Sequence, residues 1–421
     1  MSVILPSSVS YGESLPALPD STNCINIAAA PTNGATFTAG QQIFLDFVNR
    51  GFLVPDSMYL SYSYASTNAA ATPELIGVPA VTSFNRLDVQ VGSMTIDTIQ
   101  QYNIFYHFLS NVSMDVAQKY GNQASLGYLG NAGVPTLEQL DGRQLTINET
   151  GSFAFPVVSI LSNAEKLIPL FAMPQVRLVL TMESIANMFT ATAVPTAWSI
   201  SNVQLRYKIV DFGGAVEQIV LGSSDKLYIK SQSFALSSQT LAANSTGFIE
   251  LVYNLRYASV KSLFAINGNR ATAGSNGAFD SVDLTSSNGD YSFSVGGVLY
   301  PPAPINTRTS KAQAMLELRS AVGSIFDKNN NMSINSIEFN LSSTAAASTY
   351  QAPAKFYVGT STERLNSNNL LTGISTNNSP ISYRINTGTA TGAANSTVSL
   401  IVNYDCLIEV DTLMRQVSVK A

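Results

Sequence analysis

The chain is poor in charged residues and has almost no histidine. Of its 421 residues only 12% are charged, and His107 is the single histidine. One imidazole cannot build a cupin-type metal centre or a zinc site with several histidine ligands, and it argues against a catalytic triad. We therefore expect no catalytic residue and no cofactor, and a packed or surface position for His107.

Lysine and arginine are also scarce and form no run. With 22 basic and 27 acidic residues, the formal net charge is −5. Proteins that bind nucleic-acid phosphates need a basic surface, so no direct, sequence-specific nucleic-acid binding is expected. The polar residues are mainly serine, threonine, asparagine and glutamine. Such groups cost less to bury against a neighbouring subunit than charged groups do.

Cysteine is nearly absent, and no long apolar run occurs. Cys24 and Cys406 lie at opposite ends of the chain, and Cys406 falls within an alternating strand pattern. A buried free thiol fits this position better than a disulfide. The most apolar segment, Leu167 to Met182, contains two prolines and an arginine and is too short for a bilayer. We expect no secretory signal, no transmembrane segment and synthesis in a reducing compartment.

What the chain does contain is strand periodicity. Between Val398 and Val410 every second residue is apolar. These residues are Val398, Leu400, Val402, Tyr404, Cys406, Ile408 and Val410. A period of two over this length indicates a half-buried β-strand. The same pattern recurs through both halves of the chain, which predicts a large β architecture.

The first half predicts about eight strands and one helix. An irregular arm is expected before residue 40. A helix is expected over Asn103 to Lys119, where apolar residues such as Ile104 and Phe108 recur every four positions. The predicted strands are Ile43 to Val48, Ser57 to Ser66, Ser83 to Val91, Thr95 to Tyr102, Ser152 to Val158, Leu167 to Met173, Gln175 to Met182 and Ser199 to Val210.

The second half repeats this plan after the link Phe212 to Val216. A helix is predicted around Met315 to Ile325. Two stretches rich in small and polar residues, Asn267 to Asn288 and Ser342 to Tyr350, are predicted loops. The predicted strands are Leu227 to Leu236, Phe248 to Leu263, Tyr291 to Tyr300, Ser336 to Leu341, Lys355 to Gly359, Ile381 to Ile385 and Val398 to Val410.

The repeated plan predicts the fold class. It indicates an all-β protein of two tandem, eight-stranded antiparallel jelly rolls with short inserted helices. The predicted organisation is an N-terminal arm over residues 1–40, a first roll over 41–213 and a second roll over 214–421. A chain of 421 residues is long enough for two such domains.

One segment has the spacing of a calcium-binding loop. Its oxygen-bearing residues include Asp327, Asn329, Asn331, Ser333 and Glu338, and a predicted helix precedes them. However, Met332 stands where the sharp turn of such a loop needs glycine, and a strand is predicted to follow. A polar turn after the helix is therefore favoured over a metal site.

Other candidate motifs have simple explanations. Asp211-Phe-Gly213 matches a kinase tripeptide but has none of its companion motifs, so it is predicted to be a strand end and a turn. Asp405, Glu409 and Asp411 are predicted to share the solvent-facing side of the last strand. A solvated face explains them better than a pair of catalytic carboxylates.

Eight short motifs follow one another in order across both halves. They are Ser83 to Gly92, Ile96 to Asn103, Phe153 to Pro156, Leu167 to Leu180, Tyr291 to Pro302, Met315 to Leu318, Leu371 to Asn377 and Val402 to Asp405. Their order resembles that in double jelly-roll major capsid proteins of the adenovirus and tectivirus lineage. The resemblance is greatest to those of Polinton-like viruses, virophages and relatives of large DNA viruses, and it covers about residues 35 to 420.

The resemblance implies a structural protein of the virion, assembled inside the host cell. Three subunits would form a homotrimeric capsomer with a nearly hexagonal outline, and capsomers would tile an icosahedral shell. The implied partners are neighbouring capsomers and minor capsid or penton proteins, which the two termini are best placed to reach.

Two other functions share some of these features. A tandem jelly-roll carbohydrate-binding or adhesion protein would have similar strands and polar loops, but it should also display clustered exposed aromatic residues. The only tryptophan, Trp198, lies just before a predicted strand. A spike or penton-like minor capsid protein is usually built from a single roll, and the duplication argues against it.

Overall fold

The computed structural model consists of antiparallel sheets with a few short helices. It describes residues 22–68, 73–128, 142–189, 194–268, 279, 281–284, 289–307, 309–323, 332–334, 339, 354–364, 371–387 and 395–421. The helices are α1 (Pro79–Thr82), α2 (Tyr102–Ser113), α3 (Val116–Gly121), α4 (Gln123–Leu126), α5 (Ile185–Met188), α6 (Gly214–Ser223) and α7 (Lys311–Val322). Within these ranges, no helix combines the length and the apolar character that crossing a membrane requires.

The first half forms two facing sheets and a small two-stranded sheet. Its strands are β1 (Asn23–Ala29), β2 (Thr36–Thr38), β3 (Gln42–Asp46), β4 (Phe52–Leu53), β5 (Tyr59–Thr67), β6 (Glu74–Ile76), β7 (Phe84–Val91), β8 (Met94–Gln100), β9 (Gly142–Gln144), β10 (Thr150–Pro156), β11 (Ile168–Pro169), β12 (Val176–Met182) and β13 (Ala197–Asp211). In sheet A, β13 pairs with β1 and β2 on one side and with β4 and β5 on the other, and β10 and β11 follow. Sheet B has the order β3-β12-β7-β8, and β6 pairs with β9.

The second half also forms two facing sheets. Its strands are β14 (Lys226–Leu241), β15 (Phe248–Tyr253), β16 (Val260–Gly268), β17 (Asp290–Val295), β18 (Val298–Asn306), β19 (Val358–Ser361), β20 (Ile381–Asn386), β21 (Ser396–Asp411) and β22 (Gln416–Lys420). Sheet C has the order β14-β21-β16-β19, with β22 added beside β21. Sheet D has the order β15-β20-β17-β18.

The two halves share one strand order. In each half, the last strand lies between the first strand or strands of that half and the strands next to it on the other side. β13 lies between β1 and β2 on one side and β4 and β5 on the other, and β21 lies between β14 and β16. The other sheet repeats the same order in both halves, with a hairpin, β7-β8 or β17-β18, at one end. Each half is therefore one jelly roll, which confirms the predicted fold class.

Aromatic side chains fill the space between the sheets of each roll. In the first roll, Tyr64 stacks on both Phe153 and Trp198, with ring centres 4.5 and 5.1 Å apart. In the second roll, the Phe293 and Tyr383 rings lie 5.1 Å apart. Pairs of this kind contribute about 0.5–1.5 kcal/mol each beyond the burial of their surface. The core-facing residues are those that alternate along the strands, as the period of two predicts.

Several boundaries differ from the sequence-based prediction. The irregular arm expected up to residue 40 is wrong for β1 and β2, because pairing with β13 holds both short segments in the sheet. The single strand expected from Phe248 to Leu263 is two, since the chain passes from sheet D to sheet C between them. Of Leu167 to Met173, only Ile168–Pro169 is a strand. The terminal strand β22 was not predicted.

Other predictions are confirmed, corrected or not tested by the described residues. The Asp211 strand end is confirmed: its Oδ1 accepts the Gly213 N–H at 2.9 Å, and Gly213 has a φ of 89°. The single strand predicted over Tyr291 to Tyr300 is wrong, because the chain turns at Gly296 and Gly297, both with positive φ, and forms a hairpin of β17 and β18. The predicted strand Ser336 to Leu341, except Phe339, and the predicted loop Ser342 to Tyr350 lie outside the described residues. The boundary between residues 213 and 214 stays a prediction.

Candidate functional site

The helix α2 lies between the two rolls and contacts both. Ten of its twelve residues are buried. On one side, the Tyr106 ring lies 5.8 Å from that of Phe155 in β10. On the other, the Phe105 ring is 4.8 Å from that of Phe234 in β14, and Phe108 is 5.0 Å from Phe264 in β16. We call the contact of α2, β8 and the segment between β10 and β11 with the second roll the junction.

The helix predicted over Asn103 to Lys119 is confirmed in outline but has two corrections. It is broken into α2 and α3, because the Asp115 carboxylate accepts the Gln118 N–H at 2.6 Å and begins a new helix. It is also apolar on more than the single stripe that its period of four indicates. A helix that is buried all round is expected where two bodies enclose it.

His107 is packed inside the junction. Its Nε2 lies 3.1 Å from Asn111 Nδ2, and its ring meets the edge of Phe279 with ring centres 5.4 Å apart. Asn111 Nδ2 also donates to the Tyr357 hydroxyl at 3.3 Å, which joins α2 to the second roll. His107 is 1% exposed, so the packed position is the correct one of the two expected.

The outer edge of β14 is covered by the segment between β10 and β11. The Glu165 N–H donates to the Lys230 carbonyl at 3.0 Å, and the Asn163 amide donates to the Gln232 carbonyl at 3.1 Å. A Lys230–Glu165 ion pair of 3.3 Å accompanies them. The first roll thus satisfies backbone groups that an edge strand would otherwise leave to solvent.

Asp97 is a buried carboxylate in the same junction. It lies in β8, is 4% exposed, and accepts hydrogen bonds from the Ile160 N–H at 2.8 Å and from the Ser233 hydroxyl at 2.7 Å. Desolvation by burial raises its pKa to about 6, although these hydrogen bonds to the charged form oppose the shift. Sequence reasoning missed Asp97; the available signal was an acidic residue on the same strand face as Ile99.

The prediction that the carboxylates of the last strand face solvent is wrong for Asp405 and Glu409. Asp405 is fully buried and Glu409 is 6% exposed, because β21 lies inside its sheet and both of its faces are covered. The Ser259 hydroxyl and the Thr372 N–H donate to Asp405, each at 3.2 Å. Lys226 and Lys420 bind Glu409 and lower its pKa. Asp411 is half-buried at the strand end.

The candidate calcium loop lies mostly outside the described residues. Asp327, Asn329, Asn331 and Glu338 are not among them. Ser333 is described: its side chain is buried, and its hydroxyl donates to the Asn111 carbonyl at 3.2 Å. In the described part of the chain, no three His, Cys, Asp or Glu side chains are grouped so as to hold a metal ion.

Cys406 is placed as the sequence predicts. Cys406 is a buried free thiol in β21, and desolvation raises its pKa well above its ordinary value. Cys24 is a free thiol on the exposed face of β1. The two do not form a disulfide.

Comparison with known proteins gives no match in sequence but clear matches in structure. No protein-family model and no curated protein matches the chain. The major capsid protein of Faustovirus is similar with a TM-score of 0.63 at 10% identity, over 96% of this chain and 92% of that one. The capsid of the virus PBCV-1, in a quasi-atomic model, is similar with a TM-score of 0.61 at 11% identity, over 95% of this chain and 97% of that one. The mavirus major capsid protein is similar with a TM-score of 0.53 at 11% identity, over 100% of this chain and 95% of that one.

The chain has the double jelly-roll fold of major capsid proteins. The matches span both rolls, so the tandem arrangement is shared and not only the single roll. At these identities the likeness shows the fold.

Proposed function

We propose that the protein is a viral major capsid protein, a structural subunit of the virion without catalytic activity. The observation that best supports this is the repetition of one strand order in two rolls that α2 holds side by side. Three such subunits around a threefold axis present six similar rolls. A capsomer with this nearly hexagonal outline packs on the facet of an icosahedral shell.

The contact chemistry fits such an assembly. A threefold ring closes after three copies, so the trimer stops growing while its rim remains available for weaker contacts with neighbouring capsomers. Each contact within the trimer is expected to bury on the order of 2,000 Å² or more. A chain with only 12% charged residues loses little charge hydration when such surfaces are buried.

The further partners in this proposal are minor capsid or penton proteins. In the tail after Val410 the structure describes β22, which among the described residues pairs with β21 alone and so leaves a strand edge that such a partner can contact. Direct sequence-specific binding of nucleic acid is not part of the proposal, since the chain has net charge −5 and no basic run.

The carbohydrate-binding or adhesion alternative is not favoured. Trp198 is 1% exposed and stacked inside the first roll, where it cannot contact a sugar. The aromatic side chains that are exposed among the described residues include Tyr59, Tyr228 and Phe248, and these lie in three different sheets. Sugar-binding platforms need such rings close together.

The test is the mass of the purified chain in solution, with electron microscopy of the same fraction. The expected species has three times the 44.9 kDa of one chain and a hexagonal outline. A monodisperse monomer that does not assemble at any concentration would contradict the proposal. Glycan-array hits from that monomer would then support the alternative.

A further inference from the structure

The strands β1 and β14 occupy corresponding places in the two rolls. Each pairs with the last strand of its own roll, β1 with β13 and β14 with β21. The core-facing residues of those last strands are, in β13, Ile200, Val203, Leu205, Tyr207 and Ile209, and in β21, Leu400, Val402, Tyr404, Cys406 and Ile408. Asn202, with a φ of 51°, is the extra residue in β13.

When these two lists are aligned in order, with Asn202 as the extra residue, they match residues of β1 with residues of β14. Tyr207 corresponds to Cys406. Tyr207 pairs with Ile27, and Cys406 pairs with Ser231. Asn26 therefore corresponds to Lys230, Ala28 to Gln232, and Cys24 to Tyr228.

Within one chain, the first roll covers β14 at these positions. The carbonyls of Lys230 and Gln232 accept hydrogen bonds from the segment between β10 and β11, and the Lys230 side chain is only 13% exposed. The Ser233 hydroxyl binds Asp97 of β8. The first roll of the same chain thereby covers β14, the edge strand of the second roll.

In the part of the chain that the structure describes, the same edge of the first roll is open. Among the described residues β1 pairs with β13 alone, and Cys24, Asn26 and Ala28 are exposed. The strand Asn23–Ala29 contains no charged residue and no proline. Soluble proteins normally protect an edge strand with such residues, because an unprotected edge pairs with another chain.

The surface beside β1 has room for a partner. An open groove of about 410 Å³ runs along Asn26 and Ala28 and is bounded by Tyr59, Arg206 and Lys208. The corresponding face of sheet C is filled by α2, whose Phe105 lies against Phe234. No described residue of the chain fills this groove in the first roll, whereas α2 fills the corresponding position in the second roll.

We propose that the outer edge of β1 is the docking surface for the second roll of another copy of this chain. This contact repeats, between chains, the junction that the first roll makes with β14 within one chain. The inference rests on the proposed function: a ring of six similar rolls needs this contact six times, and the three chains supply it internally only three times.

The docking copy presents β18, which corresponds to β8. Both are end strands of their sheets and the second strands of a hairpin. In β8, Asp97 and Ile99 are buried, and Asp97 contacts β14. In β18, Val298 is 56% exposed, and the Pro302-Ala-Pro304 stretch is also exposed. An exposed, uncharged strand of this kind suits burial against the neutral edge of β1.

A cysteine-labelling experiment tests the proposal. Asn26→Cys, in a Cys24→Ser background, places a thiol where Lys230 is covered in the junction. In the trimer, we expect this thiol to react with a maleimide at least roughly tenfold more slowly than in the same chain unfolded in urea. Cys24 of the unsubstituted protein is the matched control. It corresponds to Tyr228, which is 47% exposed, so it should react readily in the trimer.

A second pair of variants tests assembly itself. Ala28→Lys adds a charge to the proposed contact and should convert the trimer to monomer. Ser418→Lys adds the same charge to the exposed residue of another edge strand, β22, and should leave the trimer intact.

The outcomes separate the two proposals. If the unsubstituted chain forms trimers in which the Asn26→Cys thiol reacts as fast as Cys24, the β1 docking surface is overturned and the capsid proposal stands. Trimers that persist in Ala28→Lys also overturn the docking surface. If the unsubstituted chain forms no trimer, the proposed function falls, and the docking surface falls with it.

Discussion

Phe105 of α2 packs against Phe234 of β14 with the two ring centres 4.8 Å apart. The two residues belong to different rolls and are 129 positions apart in the sequence. Phe105 is fully buried. This contact makes the two rolls depend on each other for stability.

Substitution of Phe105 by alanine should therefore be costly. We expect Phe105→Ala to lower the free energy of unfolding by about 3–5 kcal/mol, because it removes a buried ring and leaves a cavity. Urea denaturation at fixed protein concentration measures the effect. Phe248→Ala removes an equal ring that is 66% exposed, and should change stability by less than about 0.5 kcal/mol. Equal losses in the two variants would contradict the role of the junction.

Asp97 should give the protein a specific pH dependence. Its pKa is raised from 3.8 to about 6, so between these values the folded protein holds a proton that the unfolded chain has lost. The contribution of Asp97 to stability is thus largest at low pH and is lost as the pH rises to about 6. The difference amounts to on the order of 3 kcal/mol.

The measurement for Asp97 compares denaturation of the unsubstituted protein and Asp97→Asn at pH 4 and pH 7. The asparagine does not titrate, so the stability of the unsubstituted protein should fall relative to the variant as the pH rises. Parallel pH profiles for the two proteins would refute this role of Asp97.

Gly373 should not tolerate a side chain. A Cβ at this position would overlap the backbone of Val260, which Gly373 approaches while its N–H donates to the Ser259 hydroxyl at 2.9 Å. We expect Gly373→Ala to cost about 1–3 kcal/mol in thermal or urea unfolding. The control is Gly121→Ala, where the new Cβ meets nothing within 4 Å and a gain of up to about 1 kcal/mol is expected. A neutral Gly373→Ala would show that the Val260 backbone moves freely.

The segment Asp327 to Glu338 should bind calcium ions weakly or not at all. It has two carboxylates and a methionine at the position that needs glycine. Titration with terbium should give no saturable luminescence in the unsubstituted protein, and Asp327→Ala should behave identically. A saturable signal that disappears in Asp327→Ala would establish a metal site.

Strands with regular alternation could be predicted from the sequence, and strands held mainly by their neighbours could not. Apart from the extra residue Asn202 in β13, both β13 and β21 have core-facing residues at every second position, so their inward side is predicted correctly and their ends lie within two residues of the prediction. β1 has the sequence Asn-Cys-Ile-Asn-Ile-Ala-Ala, whose strand propensity is low. Its seven pairings with β13 are distant contacts that no local pattern contains.

The junction was the least predictable part of the molecule. Periodicity assigns one apolar stripe to α2, but the second buried face depends on a roll that lies more than a hundred residues away. The same limit explains the error at Asp405 and Glu409. Alternation implies one solvated face, whereas β21 is covered on both faces, so its polar residues are buried together with their partners.

Because α2 is packed by aromatic rings from both rolls, the angle between the rolls is set by the fold of a single chain. Packed interiors of this kind deform little. In a shell built from such subunits, each chain would act as a stiff plate. Curvature would then arise at the seams between plates, and shells of different radius would differ in those seams while the plates stay the same.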